Sequence, residues 1–177
     1  MTTGIDTSTA TLKQETDEAM EKLHQLFSSF DQREINVVPF EKSWTPAQVA
    51  DHILRSQTGI VQVVQGPTAP TERSPTEKSG QIKATFLDFN TKMKSPEFVL
   101  PTDNPLDKQD VVKRISDSAK GIADALDTQD LSRTCLAFEI PGSGPMTRHE
   151  WCHFFLYHTM RHNHQLEKIL KKLHPTA

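Results

Sequence analysis

Apolar side chains recur with the period of an α-helix in four separate parts of the chain, and this pattern restricts the fold more than any other feature. The four segments span residues 11–30, 46–64, 108–126 and 151–173. A helix with one apolar face is stable only when that face is buried against another element. Four such helices of about five turns each predict an all-α fold, a four-helix bundle.

Pairs of residues that can cap a helix support these boundaries. In a capping box, a Thr is followed three residues later by Gln or Glu, and each side chain bonds the other residue's backbone N–H. The pairs are Thr11 with Gln14, Thr45 with Gln48, and Thr147 with Glu150. Pro46 suits the first position of the second helix, and Pro175 follows the end of the last.

The connections between the helices are long and contain many prolines. The prolines and glycines of residues 66–80 predict a loop. Residues 84–93 are compatible with a short additional helix, and residues 95–107 are expected to be extended. Residues 127–146 form another long connection, in which residues 134–140 are either one short strand or extended chain. Connections of this length allow crossovers, so a simple up-down order of the bundle is not assured.

Charge and cysteine content exclude several classes of protein. The chain has 177 residues and a net charge of -3, so it offers no strongly basic surface for nucleic acid. No apolar run resembles a secretory signal or reaches the roughly 20 residues of a membrane span. Cys135 and Cys152 form no Cys-x-x-Cys motif, which predicts a reduced, cytoplasmic chain. We expect one domain over residues 1–177, with residues 1–10 flexible.

The chain contains eight histidines, and their positions matter more than their number. At about 100° per residue, His158 lies about 20° from Trp151 and about 60° from Phe155 on the last helix, and His162 lies about 40° from His158. Both histidines therefore fall within the apolar stripe that must face the core, one turn apart. His52 has a similar inward position on the second helix.

A four-helix bundle can bring His52 opposite His158 and His162. Three neutral imidazoles without a thiolate suit a divalent metal ion, and zinc, nickel and iron are all compatible with them. The alternative is a set of core histidines that bond a carboxylate or water, because an unpaired buried polar group costs about 1–3 kcal/mol. The other five histidines point to solvent or have no role that the sequence assigns.

Two stretches of the sequence resemble the DinB-like superfamily of His-triad four-helix-bundle proteins. Residues 43–55 read SWTPAQVADHILR and are similar to the Trp-Ser/Thr segment that leads to the family's first histidine. Residues 150–166 read EWCHFFLYHTMRHNHQL and are similar to its His-x-x-Arg-His-x-x-Gln helix. With the helix order, the resemblance covers most of the chain, although residues 66–107 match no family feature.

The resemblance implies a divalent metal ion held by His52, His158 and His162. Some members of the superfamily are thiol-S-transferases that act with low-molecular-weight thiols such as bacillithiol or mycothiol, and others look like metal-dependent hydrolases. The expectation is therefore a metal-dependent enzyme that acts on a small molecule. The alternative is a non-catalytic metal- or ligand-binding protein of a stress response. Relatives are often dimeric, and the sequence permits a homodimer without fixing the oligomeric state. No catalytic residue is assigned.

The neighbours of these histidines carry further expectations. Asp51 points about 100° away from His52 and is expected to face solvent. Gln165 lies near the line of His158 and either orients a ligand or a bound water, or is simply a polar residue at the bundle end.

Three other features carry simpler expectations. Arg161 is expected to form a salt bridge, and Cys152 to be a small buried thiol. The proline-rich residues 95–105 form either a lid over the open end of the bundle or an extended connection.

Overall fold

The computed structural model describes residues 7–175 and confirms the all-α prediction. The helices are α1 (Thr7–Ser28), α2 (Pro46–Gln65), α3 (Ser79–Leu87), α4 (Lys108–Thr128) and α5 (Arg148–Leu173). Two strands, β1 (Thr68–Ala69) and β2 (Thr134–Cys135), pair antiparallel, and Glu34–Asn36 and Glu97–Val99 are single 3₁₀ turns. Within the described residues, no helix is both long and apolar enough to cross a bilayer.

The helix starts follow the capping rules in two of the three predicted places. Thr45 and Thr147 each accept a bond from the backbone N–H three residues on, and complete capping boxes open α2 and α5. The capping box predicted at Thr11 is wrong, because α1 already begins at Thr7. Residues 7–10 of the stretch expected to be flexible are thus helical, while residues 1–6 lie outside the described residues.

The connections differ from the predictions in detail. The short helix expected over residues 84–93 lies earlier, at α3, and ends at Leu87. Of the two alternatives for residues 134–140, the structure has a short strand, β2, at the first two of these residues, and its partner β1 lies in a stretch predicted to be loop. Both errors have one cause, since these short elements are held by contacts with distant parts of the chain rather than by local periodicity.

The four long helices pack as a bundle that contains crossovers. Helix α1 packs mainly against α4 and α5, and α2 packs against the same two helices. Side-chain contacts show that α1 and α5 run in one direction and that α2 and α4 run in the other. The chain between α2 and α4 must therefore return along the bundle, which explains its length.

The core between the helices is apolar and continuous, and it holds the largest fully buried side chains. These are Leu12, Leu23, Phe27, Phe30, Ile35, Ile53, Ile115, Ile122, Phe155, Leu156, Leu166 and Ile169. One of them, Phe155, lies on α5 between the two inward histidines of the sequence pattern and the start of the helix. The same stripe of α5 thus supplies both the core and the histidines.

A buried carboxylate ties the connection before α3 to the first turn of α5. Glu150 is fully buried and accepts two bonds from the guanidinium of Arg73, at 2.6 and 2.7 Å. It also accepts the backbone N–H groups of Lys78 at 2.8 Å and Thr147 at 2.9 Å. Burial raises the pKa of Glu150, but these four bonds outweigh burial and lower it below its ordinary value. This contact places α3 alongside α5.

Replacing Glu150→Gln is expected to destabilise the protein by roughly 2–4 kcal/mol at pH 7, because the Arg73 guanidinium loses its buried counter-charge. The pKa of Glu150 is lowered on folding, so its contribution is complete above pH 4.5 and is lost as the pH falls through the folded-state pKa. Urea unfolding from pH 7 to pH 3 should show the two proteins converge below pH 4.5. A constant difference across that range would contradict this role of Glu150.

Candidate metal centre

The structure brings the three predicted histidines together at one buried point. His52 comes from α2, and His158 and His162 come from consecutive turns of α5. The Nε2 atom of His158 lies 3.1 Å from Nε2 of His52 and 3.1 Å from Nε2 of His162. The candidate ligand atoms all lie within 4.8 Å of one another. Tetrahedral ligands at ordinary Zn–N distances are separated by about 3.4 Å, so the cluster can hold a metal ion.

Two of the rings have their tautomers set by oxygen acceptors. His52 donates its Nδ1–H to the carbonyl of Val99 at 2.8 Å, and His162 donates its Nδ1–H to Oε1 of Gln165 at 2.8 Å. A neutral imidazole carries one proton, so Nε2 of each ring presents a lone pair. Both lone pairs point towards Nε2 of His158. The expectation that Gln165 orients a ligand agrees with this contact.

The third ring shows why this donor set fits a cation. Nδ1 of His158 is buried and has no partner among the described residues. A proton on Nε2 of His158 can point at only one of the two lone pairs, which leaves the other buried without a partner at about 1–3 kcal/mol. A divalent cation at the centre accepts the Nε2 lone pairs of all three rings. The residues present therefore fit a metal ion held by His52, His158 and His162.

Burial keeps the three rings in the form that binds metal. The side chains of His52, His158 and His162 are only 3%, 6% and 8% exposed. Desolvation lowers the pKa of all three, and it lowers that of His162 to about 3. Metal ions bind neutral imidazole, so at neutral pH no proton has to be displaced.

The histidine cluster opens into a chamber of about 750 Å³. One face of α2, one face of α5 and the side of α3 form its walls, and residues 93–99 and 138–146 complete the rim. All three histidines line this space, so a metal ion at the cluster is reachable by a small molecule. We call residues 93–102 the strap, because they cross the end of α2 beside His52.

Asp51 is buried, and the expectation that it faces solvent is wrong. Its carboxylate accepts bonds from Nε of Arg55 at 2.8 Å, Nη2 of Arg114 at 2.9 Å and the backbone N–H of Thr102 at 3.0 Å. Burial raises the pKa of Asp51, but the three bonds lower it by more. Asp51 does point away from His52, but α4 packs on that side of α2 and brings Arg114 to the Asp51 carboxylate.

The strap is held to α2 by two adjacent residues. Asp51 binds the backbone N–H of Thr102, and His52 donates to the carbonyl of Val99. The sequence left a lid and an extended connection as alternatives for residues 95–105. The structure shows extended chain with one 3₁₀ turn that lines the chamber and positions a candidate ligand. The contact with the Val99 carbonyl could not be predicted from the local sequence, because every residue has a backbone carbonyl.

Arg161 makes no salt bridge with a described residue, contrary to the expectation. Its guanidinium donates to the backbone carbonyls of Phe86, Asp88 and Thr91, which follow one another at and beyond the end of α3. The prediction failed because unsatisfied carbonyls at a helix end attract a cation as a carboxylate does. Cys152 is a buried thiol, as predicted, and burial raises its pKa to about 12.

The remaining histidines of α5 lie outside the cluster, and two are not solvent-facing. His149 is buried, and its Nδ1 lies 3.2 Å from Nδ1 of His153. His153 also bonds the hydroxyl of Ser79 at 2.7 Å and stacks on Tyr157. These residues face α3, which covers a side of α5 that the sequence pattern left exposed. His164 stacks on the ring of Phe89.

The fold and the cluster define a class of protein: a four-helix bundle with crossovers whose second and last long helices supply three converging imidazoles. Residues 15–166 match the family model of the DinB superfamily. The chain therefore belongs to the DinB superfamily, as the resemblance of its two motifs implied. Neither the curated proteins nor the solved structures yielded a significant match.

Replacing Gln165→Leu is expected to lower the affinity for a divalent metal about 10–100-fold, because the Nδ1–H of His162 loses its acceptor. Gln165→Glu keeps an acceptor at the same place and should bind metal at least as tightly as the unmodified protein. Competition with a chromogenic chelator measures both affinities on metal-stripped protein. Equal affinity in all three proteins would show that the contact has no role at the centre.

Proposed function

We propose that the protein is a divalent-metal-dependent enzyme that acts on a small molecule, with His52, His158 and His162 as the metal ligands. The observation that carries the proposal is the convergence of three Nε2 atoms on one point of a chamber wall. Three protein ligands leave a coordination position open in catalytic sites, whereas structural zinc sites are closed by four. Zinc, nickel and iron all remain compatible with an all-imidazole donor set.

A bound divalent cation would supply Lewis acidity, which lowers the pKa of a thiol or water in the chamber and makes the nucleophile available as its anion. The chain's own residues prepare this site. Val99 and Gln165 hold the rings of His52 and His162 in one tautomer and one orientation. The walls of the chamber beside the histidines are mainly apolar, so they offer few groups that compete with the ligands for the metal.

The chamber favours transfer to a thiol over hydrolysis. None of its lining residues within the described chain is Asp or Glu, so no carboxylate is present there to take a proton from water. A thiol has an ordinary pKa of about 8.5 and needs far less help to ionise. The apolar lining also disfavours a reaction that consumes water. We therefore propose thiol-S-transferase chemistry with a low-molecular-weight thiol as one substrate.

The transfer step needs no oxidant or reductant. The thiol loses its proton to solvent, and its sulfur forms a C–S bond with the electrophilic carbon of the second substrate. The leaving group departs from that carbon with the bonding electron pair. The same balance holds for addition to an activated double bond, where the carbon that gains the electron pair is then protonated. No group of the protein becomes covalently bound.

Single replacements of His52, His158 or His162 by Ala are expected to abolish stoichiometric metal binding, because two imidazoles remain where catalytic sites use three protein ligands. His164→Ala on the same helix is the matched control, since His164 lies outside the cluster. Metal content after loading with zinc, nickel or iron measures the effect by elemental analysis. Metal retained by all three variants would contradict the proposed metal centre.

Turnover is tested by loading the full chain with each metal and following thiol consumption with an aryl halide or an activated alkene. Activity that depends on metal and vanishes in His158→Ala supports the transferase. Metal binding without turnover by any thiol would instead support the alternative function, a non-catalytic metal- or ligand-binding protein. The homodimer that the sequence permits and the cytoplasmic location that it predicts are not tested by the structure.

A further inference from the structure

The walls of the chamber carry several aromatic rings besides those of the three histidines. Its lining includes the rings of Phe86, Phe98, Phe138, Trp151 and Phe154. Phe98 from the strap and Phe138 from the connection before α5 contact each other, with ring centroids 5.9 Å apart. The Phe138 ring lies 6.1 Å from that of Trp151. These rings join the rim to the interior as one apolar surface.

Phe98 is the clearest sign that this surface receives an apolar group. Its side chain remains 68% exposed, although it sits at the mouth of a chamber that also holds the histidine cluster. Phe98 is continuous with Phe138, which is 40% exposed, and contiguous apolar surface of this kind at a cleft is typical of ligand-binding or partner-binding sites. A chamber of about 750 Å³ is within the range of sites that bury most of a drug-sized molecule.

The charged residues that line the chamber are all cations. They are Arg55, Lys94 and Arg161, and among residues 7–175 no lining residue is Asp or Glu. Arg161 is occupied by three backbone carbonyls, and Arg55 uses its Nε on Asp51. The ammonium of Lys94 makes no hydrogen bond or ion pair with any described residue. Positive charge is therefore available at the rim, and no negative charge in the lining balances it.

We propose that the chamber selects a small aromatic or bulky apolar molecule that carries one anionic group. The apolar part packs among the rings of Phe98, Phe138 and Trp151, and the anion pairs with Lys94 and the free side of Arg55. Neutral molecules of the same shape bind less tightly, and cations are rejected. The assignment of this molecule as the electrophilic substrate rests on the proposed function, but its binding does not require turnover.

The test uses two fluorescent probes that differ in one group. 8-Anilinonaphthalene-1-sulfonate and N-phenyl-1-naphthylamine share their ring system, and only the first is anionic. Titration of the metal-stripped full chain should give about tenfold tighter binding of the sulfonate, because its charge-assisted contacts have no neutral equivalent. Equal binding of the two probes, or tighter binding of the neutral one, would overturn the anion preference.

Two substitutions locate the probes in the chamber. Lys94→Gln should weaken sulfonate binding several-fold and leave the neutral probe unchanged, while Lys92→Gln, in the same segment but outside the lining, should change neither. Gly59→Leu should weaken both probes, because Gly59 lines the chamber and a Cβ there meets no atom within 4 Å. Sulfonate binding that persists in Gly59→Leu, or that is equal in Lys94→Gln and Lys92→Gln, would sink the inference.

Failure here and failure of the proposed function are distinguishable. The probe titrations use metal-stripped protein, so an absence of metal binding or turnover leaves their result standing. Conversely, a lost anion preference overturns the substrate class while the metal content and the thiol assay still test the centre itself.

Discussion

The structure depends on the meeting of three imidazole nitrogens at one buried point. Two of the rings carry their proton on Nδ1, because the atoms in contact there are the carbonyl oxygen of Val99 and Oε1 of Gln165, so two lone pairs converge on the third ring. Buried lone pairs without a partner are costly, and a divalent cation satisfies them together. Desolvation lowers the pKa of each ring and keeps it neutral. Three core-facing positions of the bundle are therefore occupied by polar side chains that can bind a metal ion together.

The long connections between the helices are held in place around the histidine cluster. Asp51 and His52 are adjacent on α2, and together they hold the strap at Thr102 and Val99. Glu150 holds the preceding connection through Arg73 and so fixes α3 against α5. Both contacts place a buried carboxylate opposite an arginine and a backbone N–H. A bundle alone would leave the histidine cluster at an open groove, whereas these two anchors enclose it in a chamber.

The chamber and the cluster differ in their chemistry, and the difference suggests a division of roles. The cluster is polar, buried and neutral, and two of its rings are oriented by hydrogen bonds, as suits a metal centre. The chamber is mainly apolar, the charged side chains of the described residues that line it are all cationic, and it is open at a rim formed by Phe98 and Phe138. A metal ion would add further positive charge at its base. Membership of the DinB superfamily agrees with the first role, and the second is proposed from the side chains that line the chamber.

The sequence by itself determined the four long helices, the capping boxes at Thr45 and Thr147, and the inward positions of His52, His158 and His162. These properties follow from local periodicity and from contacts within four residues, which a linear pattern records. Only the tertiary structure decided that Asp51 is buried, that Arg161 binds carbonyls and that Val99 orients His52. Each of these depends on a partner about 50 to 75 residues away, brought there by a crossover whose path no local spacing encodes. The helical period determines the direction in which a side chain points, whereas the packing of distant segments determines which groups it contacts.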